Sequence, residues 1–68
     1  MITLLGTNNS ATIDDLVELY VQKGFYRIQR DSNNARLEKT FNSHVKHVVM
    51  IHRKEAFKCT AYLYEARK

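Results

Sequence analysis

The 68-residue chain contains no proline, no tryptophan, one cysteine and only two glycines. Without Pro or Gly clusters there is no linker, no low-complexity stretch and no boundary, so residues 1–68 read as a single domain. The lone Cys59 excludes an internal disulfide, whereas a secreted domain this small usually carries several. A cytoplasmic location is the expectation. Long apolar runs are also missing. Val48-Val49-Met50-Ile51 is strand-sized, and Met1 to Gly6 has no basic start and too short an apolar run for a signal peptide or membrane span. No membrane partner is expected.

Catalytic and ligand-binding patterns are equally scarce. Gly6 and Gly24 stand alone, so no glycine-rich phosphate loop exists. Asp14 and Asp15 are adjacent acids in one helical turn rather than a general acid–base pair. His44 and His47 point to opposite faces of a strand, as do His47 and His52, while His44 and His52 lie roughly 26 Å apart at about 3.3 Å per residue. Cys59 with His47 is the one conceivable nucleophile–base pair, and Cys59 reads better as a core residue. The chain is therefore expected to be no enzyme, with no catalytic residue, metal, cofactor or small-molecule substrate.

Charge is what the chain does have. Eleven Lys and Arg against seven Asp and Glu give a formal +4. Residues 1–23 hold one Lys and three acids, a net of −2, while residues 24–68 hold ten basic and four acidic residues, a net of +6. A basic surface of this kind favours polyanions or acidic protein surfaces.

Periodicity defines the fold. Thr12 is a good N-cap, with Asp15 three residues on. Ile13, Leu16, Val17 and Tyr20 then fall on one helical face, and Gly24 suits a left-handed C-cap on which Phe25 folds back. This predicts a helix over 12–23. From 25 to 65 the period is two, with breaks at Ser32-Asn33-Asn34, Asn42-Ser43 and Arg53-Lys54-Glu55, which predicts a four-stranded antiparallel meander. Ile2 to Leu5 offers a fifth strand. The expected class is α+β, with the helix packed on one face of a four- to five-stranded antiparallel sheet. The expected core is Ile13, Leu16, Val17, Tyr20, Ile28, Leu37, Phe41, Val49, Ile51, Phe57, Cys59, Ala61 and Leu63.

One helix cannot cover both faces of a sheet, so the other face is left to solvent or to a partner. Alternation assigns to it Arg27, Gln29, Arg36, Glu38, Thr40, Lys46, Val48, Met50, His52, Lys58, Thr60, Tyr62 and Tyr64. Exposed tyrosines and Met beside Arg have the composition of a binding core. Arg27, Gln29, Arg30, Arg36, Lys46, Lys58, Tyr62 and Tyr64 are the expected partner-binding residues, the cations through charge-assisted contacts. Stacking of bases on Tyr62 and Tyr64 is the less favoured use, because the RNP-type aromatic pattern is absent.

In length, order of elements and basic charge, the chain resembles the small type I-F anti-CRISPR proteins of phages and mobile elements. The resemblance spans the whole chain, rests on helix 12–23, meander 25–65 and the excess of Arg and Lys, and carries no motif, so it assigns no residue roles. Many anti-CRISPR proteins are acidic DNA mimics, and this basic chain departs from them. The resemblance implies a non-catalytic inhibitor of a protein or nucleoprotein complex, with CRISPR effector backbone subunits as the partner and DNA binding as the step blocked. The alternative is a non-specific DNA- or RNA-binding accessory protein using the same basic face.

Overall fold

The computed structural model describes residues 1–68, in which one helix packs on a five-stranded antiparallel sheet, an α+β fold. The elements are β1 (Ile2–Ser10), α1 (Ile13–Gln22), β2 (Tyr26–Arg30), β3 (Asn34–Thr40), β4 (Val45–Glu55) and β5 (Lys58–Arg67). The order across the sheet is β1-β5-β4-β3-β2. The N-terminal segment therefore is a strand, and it runs to Ser10 rather than stopping near Leu5.

This order makes β1 and β2 the two edges, and the helix joins them. Four strand spacings of about 4.8 Å separate the edges by about 19 Å. A ten-residue helix is about 15 Å long, and with residues 11–12 and 23–25 on either side it carries the chain from one edge to the other. Thr12 is extended and its hydroxyl accepts from the Asp15 N–H at 3.2 Å, and Asp14 and Asp15 occupy the first turn.

At the other end Gly24 takes φ +97°, the left-handed region open to glycine, and the Phe25 N–H returns to the Tyr20 carbonyl at 3.0 Å. Lys39 of β3 donates to the Lys23 carbonyl at 2.8 Å, so a cation from the sheet closes the negative end of the helix. A Cβ at Gly24 would also meet the Lys39 ammonium at 3.2 Å. Gly24→Ala is expected to lower stability by about 1 kcal/mol, read as a lower urea midpoint at unchanged slope.

The core lies between α1 and the sheet. Ile13, Leu37, Val49, Ile51, Cys59 and Ala61 are completely buried, and Leu16, Val17 and Tyr20 nearly so, all as the periodicity predicts. Leu63 packs against this cluster while partly exposed. Phe25 and Ala35 join it, with the Phe25 ring edge-on to Tyr20 at 5.4 Å.

Three expected core residues lie outside, each for a geometric reason. Ile28 is half exposed because β2 carries a bulge between Arg27 and Gln29, so Ile28 has no partner on β3. Phe57 is 81% exposed: β4 and β5 shift register between Arg53 and Glu55, and Phe57 falls in the turn before β5 begins. Phe41 is 51% exposed. The molecule is 37 Å long, and a helix of about 15 Å cannot reach the far end of the sheet. There Phe41 meets the His47 ring edge-on at 4.5 Å, under the Lys39 ammonium at 5.4 Å.

Side-chain acceptors build the β2–β3 and β3–β4 turns. One Asp31 carboxylate oxygen takes the Asn33 and Asn34 N–H groups, both at 2.8 Å, and Asn42 takes those of His44 and Val45 at 2.8 and 3.0 Å. The Asn33 and Asn34 amides hold the Asp31 carboxyl below its ordinary 3.8.

The candidate docking face

The pairing registers place four rows of side chains on the face away from α1. Across the sheet from β1 they read Asn9-Thr60-His52-Asn34, then Thr7-Tyr62-Met50-Arg36-Gln29, then Leu4-Tyr64-Val48-Glu38-Tyr26, and last Ile2-Ala66-Lys46-Thr40. No element covers this face. Its middle is nevertheless dense: Val48 is buried by its cross-strand neighbours, and Met50, Tyr62, Tyr64 and Ala66 are half-buried. Toward β1 the surface stays apolar and open, with Ile2 72% and Leu4 52% exposed.

Of the eight expected partner-binding residues, Gln29, Arg36, Lys46, Tyr62 and Tyr64 do stand together here. Lys58 lies on the same side at the β4–β5 hairpin end, opposite Glu55 and beyond the tyrosines. The other two stand on the opposite side: the β2 bulge turns Arg27 there, and Arg30 keeps the parity it shares with Ile28, away from this face. Arg27 pairs with Leu37 and Arg30 with Ala35, both on the helix side of the sheet. Arg30 is ion-paired with Asp14 in the first turn of α1 at 2.6 Å and also donates to the Asp31 carbonyl. The Arg30–Asp14 hydrogen bond chiefly, with the fields of Arg30, Arg27 and Arg53, holds the Asp14 carboxyl below its ordinary 3.8. Arg27 and Arg30 thus belong to the helix–edge contact and not to the docking face.

Three residues join the face that alternation did not select as binding residues. The bulge turns Tyr26 onto it, where its hydroxyl reaches Thr40 at 3.4 Å. Lys54 lies over the Tyr62 ring at 5.4 Å, and His52 sits beside that ring at 6.1 Å. The alternation of Tyr26-Arg27-Ile28-Gln29-Arg30 contains no sign of a bulge, so Tyr26 had no signal. His52 did, since it shares the period-two face with Met50.

The electrostatics differ from a plain basic patch. Glu38, near the centre, is only 13% exposed, and it binds the Arg36 guanidinium at 3.0 Å and the Lys46 ammonium at 3.3 Å. Two of the face's cations are therefore tied to a carboxylate of their own chain, and the group carries a net +1. Around it lie Val48, Tyr64, Met50 and Tyr26. This is an apolar centre holding one satisfied polar network, and no buried side-chain donor or acceptor in the protein lacks a partner.

The residues weighed for chemistry are dispersed. Cys59 is buried, with its thiol 3.9 Å from the Ala11 carbonyl. His47 lies opposite Glu65 at 3.3 Å, six residues along β5 from Cys59, or about 20 Å. No three His, Cys, Asp or Glu side chains gather as a cation site. His52 bonds the Asn34 side chain at 2.7 Å on the other face. No helix is long and apolar enough to cross a membrane.

Asp14, Asp31 and Glu65 are all held below their ordinary values, Glu65 from 4.5 mainly by Arg67 and then by His47. A depressed carboxylate stabilises the fold above its unfolded pKa, and that contribution disappears as pH falls through the folded value. The contribution of these three carboxylates is expected to hold down to about pH 5 and to be lost progressively below 4.5 and 3.8. Urea midpoints between pH 7 and pH 2 check this. An Asp31→Asn variant should show a shallower acid limb.

The fold and its open face define a small α+β domain with one helix-shielded and one unshielded sheet surface. A scan against protein-family models and searches of curated proteins and solved structures match no relative of this chain.

Proposed function

We propose that this protein is a non-catalytic inhibitor that lays its open sheet face on a protein subunit of a nucleic-acid-processing complex and blocks access of DNA to it. The observation that supports docking is the composition of that face. Val48, Met50, Tyr62 and Tyr64 form an apolar and aromatic centre, with Arg36 and Lys46 held in place by Glu38. Aromatic, Met and Arg side chains around a dry centre are what protein interfaces concentrate. The pairing of Arg36 and Lys46 with Glu38 favours a protein over a bare polyanion, since a phosphate would have to displace the carboxylate. The identity of the complex, an RNA-guided surveillance complex of type I-F bound through its backbone subunits, rests on the architectural resemblance.

The test titrates labelled protein into a purified type I-F surveillance complex and then adds target duplex. The reading expects stoichiometric binding, loss of DNA capture, and loss of both effects in Tyr62→Ala and Met50→Glu. Binding that survives both substitutions overturns the docking face. Absence of binding overturns the choice of complex, and affinity capture from a bacterial lysate with and without nuclease then decides between another protein target and nucleic acid.

A further inference from the structure

A second surface borders the docking face: the outer backbone edge of β1. Proteins ordinarily blunt edge strands with Lys, Pro, short length or irregularity. β2, at the opposite edge, is blunted in this way, being five residues long, bulged, and carrying Arg27 and Arg30. β1 is nine residues long. Residues 1–13 contain no Asp, Glu, Lys, Arg or Pro, although the chain as a whole carries a formal +4. One irregularity, between Leu4 and Gly6, is the sole blunting device there.

The backbone of this edge is available. Met1 and Arg67 exchange both of their main-chain bonds, at 2.8 and 2.9 Å. Antiparallel alternation then turns the N–H and C=O of Ile2 and Leu4 away from β5, toward the open side. The Ile2, Leu4 and Leu5 side chains beside them are 72%, 52% and 47% exposed.

We propose that two copies of this chain pair antiparallel through β1, joining their sheets into one ten-stranded sheet around a two-fold axis. Electrostatics leave β1 as the edge where a second copy can approach, and the symmetry of strand pairing makes that copy the fitting occupant. Two chains of formal +4 repel wherever their basic residues meet, as they would edge to edge at β2. At β1 each presents an uncharged strand, and an antiparallel strand pair is self-complementary about a two-fold. Ile2 and Leu4 of both copies leave water when the edges join. A two-fold perpendicular to the sheet sets both helices on one side and both docking faces on the other. The dimer would thus present the Tyr62–Met50–Val48 surface twice in a single plane.

Sedimentation equilibrium across a concentration series, joined to amide hydrogen exchange, tests the pairing. The expected mass rises to twice the 8.0 kDa chain mass, and the Ile2 and Leu4 amides slow as concentration increases. Leu4→Pro, which removes one outward N–H without touching the β5 ladder, is expected to stay at the single-chain mass. Met50→Glu, on the docking face, is expected to remain dimeric. A single-chain mass at every concentration overturns the proposal. So does a monomeric Met50→Glu beside a dimeric Leu4→Pro, which would place the contact on the sheet face. Should Leu4→Pro fail to fold, concentration-dependent protection of the two wild-type amides decides the matter. Loss of this dimer leaves the docking reading untouched, because a monomer still presents the face.

Discussion

Tyr20→Ala is expected to unfold most of the protein at 37 °C. Tyr20 is 2% exposed and lies in the last turns of α1, where the helix meets the sheet. Its ring stands edge-on to Phe25, its hydroxyl accepts from the Asn8 side chain of β1 at 2.8 Å, and the Lys23 ammonium sits 5.7 Å from its centroid. One side chain therefore ties the helix C-terminus, the chain entering β2 and the far edge strand together. Truncating a large buried aromatic removes about 3–5 kcal/mol. A domain of this size buries only about 60% of its unfolded surface and lies at the low end of the usual 5–15 kcal/mol of stability. The loss is comparable to the whole. Circular dichroism melts should show no cooperative transition above about 37 °C for Tyr20→Ala. Tyr20→Phe, which keeps the ring and loses only the Asn8 bond, should fall by about 1 kcal/mol. Equal behaviour of the two variants would mean that the hydroxyl and not the ring holds the helix end.

The importance of Tyr20 was legible in the periodicity, because Ile13, Leu16, Val17 and Tyr20 lie on one helical stripe and Gly24 marks where it must end. The α+β class followed from the same change of period, from 3.6 to two, at Gly24. What the alternation could not contain was register. Ile28 and Tyr26 exchange roles through a single unpaired residue in β2, and no residue type in Tyr26–Arg30 requires a bulge. Phe57 continues the alternation of Cys59, Ala61 and Leu63 without fault, yet the turn claims it. Phe41 has the right parity too, but parity says nothing about how far along a strand a short helix reaches.

The membership of the open sheet face was legible in half-measure for a related reason. Arg36, Lys46, Tyr62 and Tyr64 sit on the long strands β3, β4 and β5, whose pairing is continuous through these positions, so the period of two assigns them correctly. Arg27 sits on the short bulged edge, where one slipped residue reverses its face, while Arg30 on the same strand has helix-side parity with or without the bulge. Charge counting also missed the role of Glu38. It appears in sequence as one more polar residue of β3, and only the diagonal reach of Lys46 from β4 makes it the centre of an ion-paired trio.

That trio separates the partner classes by the sign of one effect. Replacing Glu38 by Gln keeps the shape, raises the formal charge from +4 to +5, and frees Arg36 and Lys46 from their carboxylate. If the partner is a protein that buries this face, the two cations lose the group that satisfies them in a dry contact. Truncating a buried charge network in an interface costs at least about 2 kcal/mol, so affinity should fall roughly 30-fold. If the partner is nucleic acid, the same change releases two phosphate ligands and removes a repelling charge. Affinity should then rise, and the dependence of log K on log salt should steepen by one to two, at about 0.9 per added phosphate contact. Binding measured at three salt concentrations for wild type and Glu38→Gln separates these outcomes whatever the structure of the partner. The apolar surroundings of Glu38 favour the first. Burial in an interface would take Val48, Met50 and Tyr64 out of water together with the trio, and a contact of that kind gains from a carboxylate that holds both cations and lowers their joint charge from +2 to +1.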